Sequence, residues 1–467
     1  MTASNVATQT GAVMAAETKR ALPRALMGGT DAMRAAGEKY LPKEYQEQKD
    51  AYDVRLNRTF LFNGFGETVK DLVGRVFATE IKLGTDVPAD IVTWAENADL
   101  AGRDLNTFAK GSFLDAMVNG VSYILTDMAP APGRDLTRAE AAALNRRPWL
   151  VNIKAEQVLG WKAKTVNGAE TLMQFRFRDD HTEADGDFGE KPVPQVKAFI
   201  RDGQAVIWQT WRQNAKGEWQ LFEEGPISLP YIPIAPVYTN RCGFMNGHPP
   251  LSDLAEVNLQ HWQSQSDQRN ILHIARVPIL YWAGAPISEE PTVIGPGRVV
   301  ASTDPASKLS YVEHTGAAIG AGDQDLKNLE AQMQALGLDL LIAKTVAQSA
   351  TGAVIDAGRV TASLAMMADA LDDAIENALQ AMADYAGLGD GGSVEVNKDY
   401  TAGMANDAGT IIQARQAGII SNATTIRELQ RRRTLSDGID AEEETTKALD
   451  EGFANDPANG ADALAAQ

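Results

Sequence analysis

Between Asp323 and Gly387 the chain carries two long amphipathic helical patterns, separated by a short run of small and polar residues, 343–352 (AKTVAQSATG). Downstream of that run, Val360, Leu364, Met367, Leu371, Ile375, Leu379, Met382 and Tyr385 recur at spacings of three and four, one face of an α-helix. Asp369, Asp372, Asp373, Glu376 and Asp384 fall on its other faces, and Gly387 supplies the stop. At ~1.5 Å per residue, a helix over 354–386 is roughly 50 Å long, more than the width of a small domain. Such a helix suits a strut in a large assembly better than an enzyme core.

The second helical pattern lies upstream, with Leu326, Leu329, Met333, Leu336 and Leu340 on one face and Asp323 expected as its cap. A third starts after Pro249 and Pro250, where Asp253 and Glu256 have capping-box spacing. Its first turns carry Leu254, Val257 and Trp262, but Gln263–Asn270 (QSQSDQRN) is polar all round. A helix with no apolar side must be wet throughout or line a water-filled space.

The rest of the chain divides by pattern. Residues 1–50 read as an arm that orders against a neighbour. From 52 to 128 the pattern is mainly helical, with Phe60, Phe62, Phe65, Val69, Leu72 and Val76 on one apolar face; GVSYILTD (120–127) then turns to strand. After a Pro/Gly loop and a short helix (129–147), residues 148–240 alternate as strands and predict an antiparallel sheet with one wet face. The acidic stretch 179–190 (DDHTEADGDFGE) is expected as an exposed loop, since it lacks calcium-loop ligand spacing. Short strand-like pieces between Val277 and His314 precede a GAAIGAG hinge (316–322), and three helices after Ile411 precede an Ala/Asp/Asn-rich tail.

The chain has 467 residues, 44% hydrophobic, enough for two or three domains, and a formal net charge of −19 that repels nucleic acid over most of the surface. One cysteine, Cys242, excludes an internal disulfide framework and fits a reducing compartment. The N-terminus lacks the charge and apolar pattern of a signal peptide, and no apolar run has membrane-spanning length. Cytoplasmic assembly is expected.

Sites for chemistry are scarce. The sequence has no Walker A motif, G-x-S-x-G elbow, H-E-x-x-H or C-x-x-C, and its five histidines are scattered. Neither cofactor nor metal is expected. Asp372 and Asp373 are adjacent on a helix and point apart, so a solvated face is expected. Arg431, Arg432 and Arg433 are either a solvated helix end that suits the dipole or a phosphate contact. Lys344 either pairs with a neighbouring Asp or faces a polyanion.

From Pro230 onward the order of parts resembles the tailed-bacteriophage portal (head-to-tail connector) protein family. The pieces are PYIPIAPVYTN, PPLSDLAEVNLQHWQSQSDQRNILHIARVPILYWAG, DQDLKNLEAQMQALGLDLLI, the loop and helix from AKTVAQSATG to MADYAGL, and SNATTIRELQRRR; upstream, FLDAMVNGVSYILTD also fits. The resemblance implies an α+β fold arranged as follows: arm 1–50, wing 51–250, stem helix 251–274, clip 275–321, second stem helix 322–342, tunnel loop 343–353, long kinked wing helix with return strand 354–403, and helical crown with tail 404–467. It further implies a non-enzymatic ring, usually twelve subunits, at one capsid vertex of the virion. Double-stranded DNA would pass through it in packaging and ejection. Terminase, then the head–tail adaptor, would dock on it, and the major capsid protein and scaffold would surround it. The expected channel residues are Lys344, Thr345, Gln348, Ser349 and Thr351 in the loop and Gln263, Gln265, Ser266, Gln268 and Arg269 in the stem. Arg431, Arg432 and Arg433 would be a crown contact, and Glu289 and Glu290 a clip contact. Two other classes compete, another ring-forming head–tail connector and a cytoplasmic hydrolase.

Overall fold

The computed structural model describes residues 5–130, 140, 144, 146–214, 216–276, 279–283, 305–312, 317–337, 350–398, 408–431, 435 and 438–454. They fall into two compact units, one of Met1–Ala350 with Met366–Val396 and one of Thr351–Ala365 with Asn397–Gln467. The architecture is α+β.

The first unit opens with helices α1 (Gly11–Met27), α2 (Gly29–Ala36), α3 (Lys49–Arg58) and α4 (Gly64–Val76). Where an arm ordered by a neighbour was expected over 1–50, residues 11–36 are helical and pack within the unit. Val13, Ala16, Leu22, Leu26 and Met33 are buried, because their spacing gives two short helices an apolar face against the rest of the unit. Arg20 is buried with them. Its Nε donates to Asn119 O at 2.9 Å and one terminal nitrogen to Gly247 O at 3.0 Å, so the guanidinium meets fixed carbonyls rather than water. Phe60 and Phe62, expected on a helix face with Phe65, lie in the extended link before α4 and stay partly exposed.

After strand β1 (Lys82–Leu83) come α5 (Ala89–Ala95) and α6 (Leu105–Asn119). Asp104 caps α6 through Thr107 N at 2.6 Å, and Phe108, Phe113, Ala116 and Met117 bury its inner face. Gly120 ends it at φ +85°, in a place where a Cβ would meet the His248 backbone oxygen at 2.2 Å. Only glycine fits there.

The chain then builds two antiparallel sheets where one was expected. A three-stranded sheet orders β11 (Ile234–Tyr238), β2 (Val121–Asp127) and β3 (Trp149–Ile153). A five-stranded sheet runs in the order β10 (Trp219–Ile227), β9 (Ala205–Gln213), β8 (Gln195–Asp202), β5 (Ala169–Arg178), β4 (Val158–Val166). The acidic stretch expected as a loop is a hairpin, β6 (His181–Asp185) with β7 (Gly189–Val193), because Gly186 takes φ +75° at its turn. The main core joins the two sheets: Val121, Tyr123 and Leu125 from β2 meet Ile153, Val158, Phe175, Phe177 and Phe199, with Val13 of α1 among them. Tyr123 and Phe175 pack edge to face, with ring centres 5.2 Å apart.

Small pair β12 (Arg241–Gly243) and β13 (Asn246–Gly247) leads to α7 (Ser252–Ala275), then the hairpin β14 (Ile279–Ala283) and β15 (Lys308–Val312), then α8 (Ala317–Leu336). Helix α9 (Ala350–Ala386) contributes to both units. In the first, its residues Leu371, Ile375, Leu379 and Met382 are buried, as the spacing predicts. Full burial of each is worth roughly 1.5–3 kcal/mol. Asp372 departs from the expected solvated face. It is buried and accepts the Val396 backbone N–H at 2.9 Å, fixing the return strand β16 (Val394–Glu395), whose Val394 N–H Glu376 binds at 3.0 Å. Gly387 ends the helix at φ +67°.

In the second unit, α10 (Ala408–Gln416), α11 (Asn422–Arg431) and α12 (Ala441–Ala454) bury Ile411, Leu429 and Ala441. Asp440 caps α12 by accepting Glu442 and Glu443 N–H, which holds its carboxyl below the usual range.

Candidate functional site

The candidate site is the helix pair α7–α8 with the segments leading from it. Gln268 Nε2 donates to Ile319 O at 2.9 Å, Ser264 Oγ bonds Asp325, and His261 Nε2 lies 3.5 Å from Glu330 Oε1. Numbers rise along one helix as they fall along the other, so the pair is antiparallel. The two helices are tightly packed at Gly322, where a Cβ would stand 2.1 Å from Gln268 Oε1. The run expected as a hinge is thus helical from Ala317, and its glycine leaves room for the Gln268 side chain to lie against α8. Asp323 is consequently not a cap but lies inside α8, paired with Lys327 at 2.7 Å. Nor does Asp253 cap α7, which starts at Ser252.

The polar row of α7 is not a wet surface. Ser266 is 1% exposed and Gln268 7%. Ser266 Oγ accepts from Thr59 Oγ1 at 2.9 Å, Gln263 Nε2 donates to Tyr40 O at 3.0 Å, and the exposed Arg269 stacks on Phe60, 4.2 Å from the ring centre. Gln265 is half-buried. These side chains are polar all round because α7 is held on one side by residues 40–60 and on another by α8. Of the residues expected to line the stem, Ser266 and Gln268 are buried within the subunit, Gln263 and Gln265 are half-buried and Arg269 is exposed.

Arg55 is the centre of the first contact. Buried, it forks onto Glu47 at 2.9 and 2.8 Å, donates to Pro42 O at 2.8 Å and to Ser266 Oγ at 3.4 Å, and has Asp267 at 3.9 Å. The hydrogen bond from Arg55 holds the Glu47 carboxyl below its ordinary range, while burial raises that of Asp267. Arg55 and Glu47 carried no visible signal in the sequence, since one precedes a helix and the other lies inside it.

His261 is 1% exposed, tilted against the Phe62 ring at 5.3 Å, and burial lowers its pKa against the opposing pull of Glu330 and Asp325. Trp262 beside it is fully buried.

Thr351 falls in the first turn of α9, which begins at Ala350 rather than 354. Arg431 is the last residue of α11. Lys344, Thr345, Gln348, Ser349, Arg432, Arg433, Glu289 and Glu290 lie outside the described residues. Among the described residues no group of His, Cys, Asp and Glu could hold a metal ion, and no helix is long and apolar enough to cross a membrane.

A family model described as a domain of unknown function (DUF4055) matches residues 250–386, the span that holds α7, α8 and α9. No curated protein matches the chain. Among solved structures, it is similar to a chain in the neck of an empty GTA particle computed with C6 symmetry, with 13% identity, 86% of this chain and 98% of that one covered, and a TM-score of 0.44. A chain in the neck of a native GTA particle computed with C12 symmetry gives 12% identity, 78% and 89% coverage and a TM-score of 0.42. One in the virion of a native gene transfer agent gives 12%, 85% and 98%, and 0.40.

Proposed function

We propose that this chain is the subunit of a phage portal ring, the conduit for double-stranded DNA at one capsid vertex in packaging and ejection. The observation that carries the reading is the succession of antiparallel α7 and α8, the hairpin β14–β15 inserted between them, and the 37-residue helix α9 that follows. That order matches the expected stem, clip and long wing helix. Acidity supports it too: a duplex that must slide is poorly served by many basic contacts, since each adds counterion-release affinity. On this reading the subunits close head to tail, most simply as twelve. Terminase supplies ATP hydrolysis and docks first, the head–tail adaptor follows, and the capsid protein and scaffold enclose the ring. The chain itself is no enzyme, and it assembles in the host cytoplasm before residing in the virion.

Imaging of the purified full-length protein in negative stain tests this. Rings with a central hole of duplex width are expected; a lone globular particle at micromolar concentration would falsify the reading.

A further inference from the structure

Helix α7 changes character along its length. Leu254, Ala255, Asn258, His261 and Trp262 are buried in the body of the first unit, and Ser266 and Gln268 are the last buried residues of the helix. From Arg269 to Arg276 every residue is half-buried or exposed, and the chain then enters the β14–β15 hairpin. The point at which α7 leaves the body coincides with its contact to residues 40–60.

That contact is built as a grip. Tyr40 O takes Gln263, Thr59 Oγ1 and Arg55 reach Ser266, Arg55 also approaches Asp267, and Phe60 lies under Arg269. The gripping segment is itself braced. Tyr52 OH donates to Leu41 O at 3.0 Å, and the Arg55 fork to Glu47, with its bond to Pro42 O, ties the loop before α3 to the helix. Partners on four positions, Gln263, Ser266, Asp267 and Arg269, within about two helical turns fix both rotation and axial position, which a single contact cannot do. A buried, bidentate guanidinium holds such a geometry better than an ammonium, because its fork is rigid.

We infer that residues 40–60 form a clasp that sets where the free end of α7 points, with Arg55 as the positioning residue and Glu47 as its catch. Opening the clasp releases the distal turns of α7 as a local unit, while the sheets behind remain folded. This does not depend on the ring reading: it concerns one subunit, and it stands or falls whether or not subunits close into a ring.

Hydrogen exchange on the full-length protein, followed by mass spectrometry, tests it in Glu47→Gln and in the double variant Gln263→Ala/Ser266→Ala. The second removes the grip from the α7 side without stranding a buried charge, and so decides the matter if Glu47→Gln does not fold. Amides of residues 263–276 are expected to exchange at least about tenfold faster in each folded variant, with those of β2 unchanged. Unchanged exchange in α7 overturns the clasp. An equal acceleration in β2 also overturns it, since the contact would then only add to global stability.

Discussion

The closeness of α7 and α8 can be weighed with two glycines of one helix. Gly320 and Gly322 both lie inside α8, but a Cβ on Gly320 meets nothing within 4 Å, whereas one on Gly322 lands 2.1 Å from Gln268 Oε1 and 2.9 Å from its Cδ. Gly→Ala within a helix gains about 0.8–1 kcal/mol of propensity. Gly320→Ala should therefore stabilise by roughly that amount. In Gly322→Ala the Gln268 side chain must swing away and give up its bond to Ile319 O, which costs about 1 kcal/mol and cancels the gain. Gly322→Leu cannot be relieved by one side chain and should cost roughly 1–3 kcal/mol as an overpacked contact. Urea unfolding of the three variants, with unchanged slope, reads these differences directly. Equal stabilisation by the two alanines would refute the close approach, and with it the helix pair as described.

Three further outcomes follow from the geometry. Gly120→Ala combines left-handed backbone with a fixed backbone clash and should lose about 3 kcal/mol or more, while Gly203→Ala, at φ +63° with open space around it, should lose only about 1–2 kcal/mol; thermal melts separate them. Burial depresses the folded-state pKa of His261, so its share of stability is whole above the unfolded value near ~6.5 and is lost as pH falls below it. Unfolding free energy should drop between pH 7.5 and 5.5 by up to about 1.4 kcal/mol per unit from this group, and His261→Gln should flatten that part of the slope. On the ring reading, replacing Gln324, Asn328 and Gln332 with Arg should steepen the dependence of DNA binding on salt by up to about 0.9 per new contact in the logarithmic plot, and slow packaging; unchanged salt dependence in assembled rings would place these residues away from the duplex.

What could be read from the chain was whatever repeats locally. The long helix was legible because Leu364, Leu371, Ile375 and Leu379 state their period without outside help, and Val121–Asp127 was legible as a strand from its β-branched and aromatic residues. The three terminal helices, expected over 411–417, 424–433 and 441–453 from their pattern, lie at 408–416, 422–431 and 441–454. Where burial departs from the pattern, several cases share one cause. Arg20, Ser266 and Asp372 are polar residues whose partners lie far away in sequence: Asn119 and Gly247, Thr59, and Val396. Periodicity counts a polar side chain as wet, and only the tertiary fold reveals that its acceptor is already inside. Glycine misled in the same way, since a hinge and a close helix contact look alike until the second helix is in place.

The burial of the α7 row bears directly on how a ring of such subunits could carry DNA. If Ser266 and Gln268 are enclosed between residues 40–60 and α8, they cannot also face a bore. Helix α8 also presents an exposed polar row, where Gln324, Asn328 and Gln332 recur every four residues, Gln324 donating to Asn328 at 2.9 Å, and the nearby Lys327 is neutralised by Asp323. Uncharged amides can bond a passing phosphate and let it go without releasing counterions, so they offer contact with little drag. The polarity of α7 thus serves in part to seat that helix, and on the ring reading the amide row of α8 is the surface that suits a sliding polyanion.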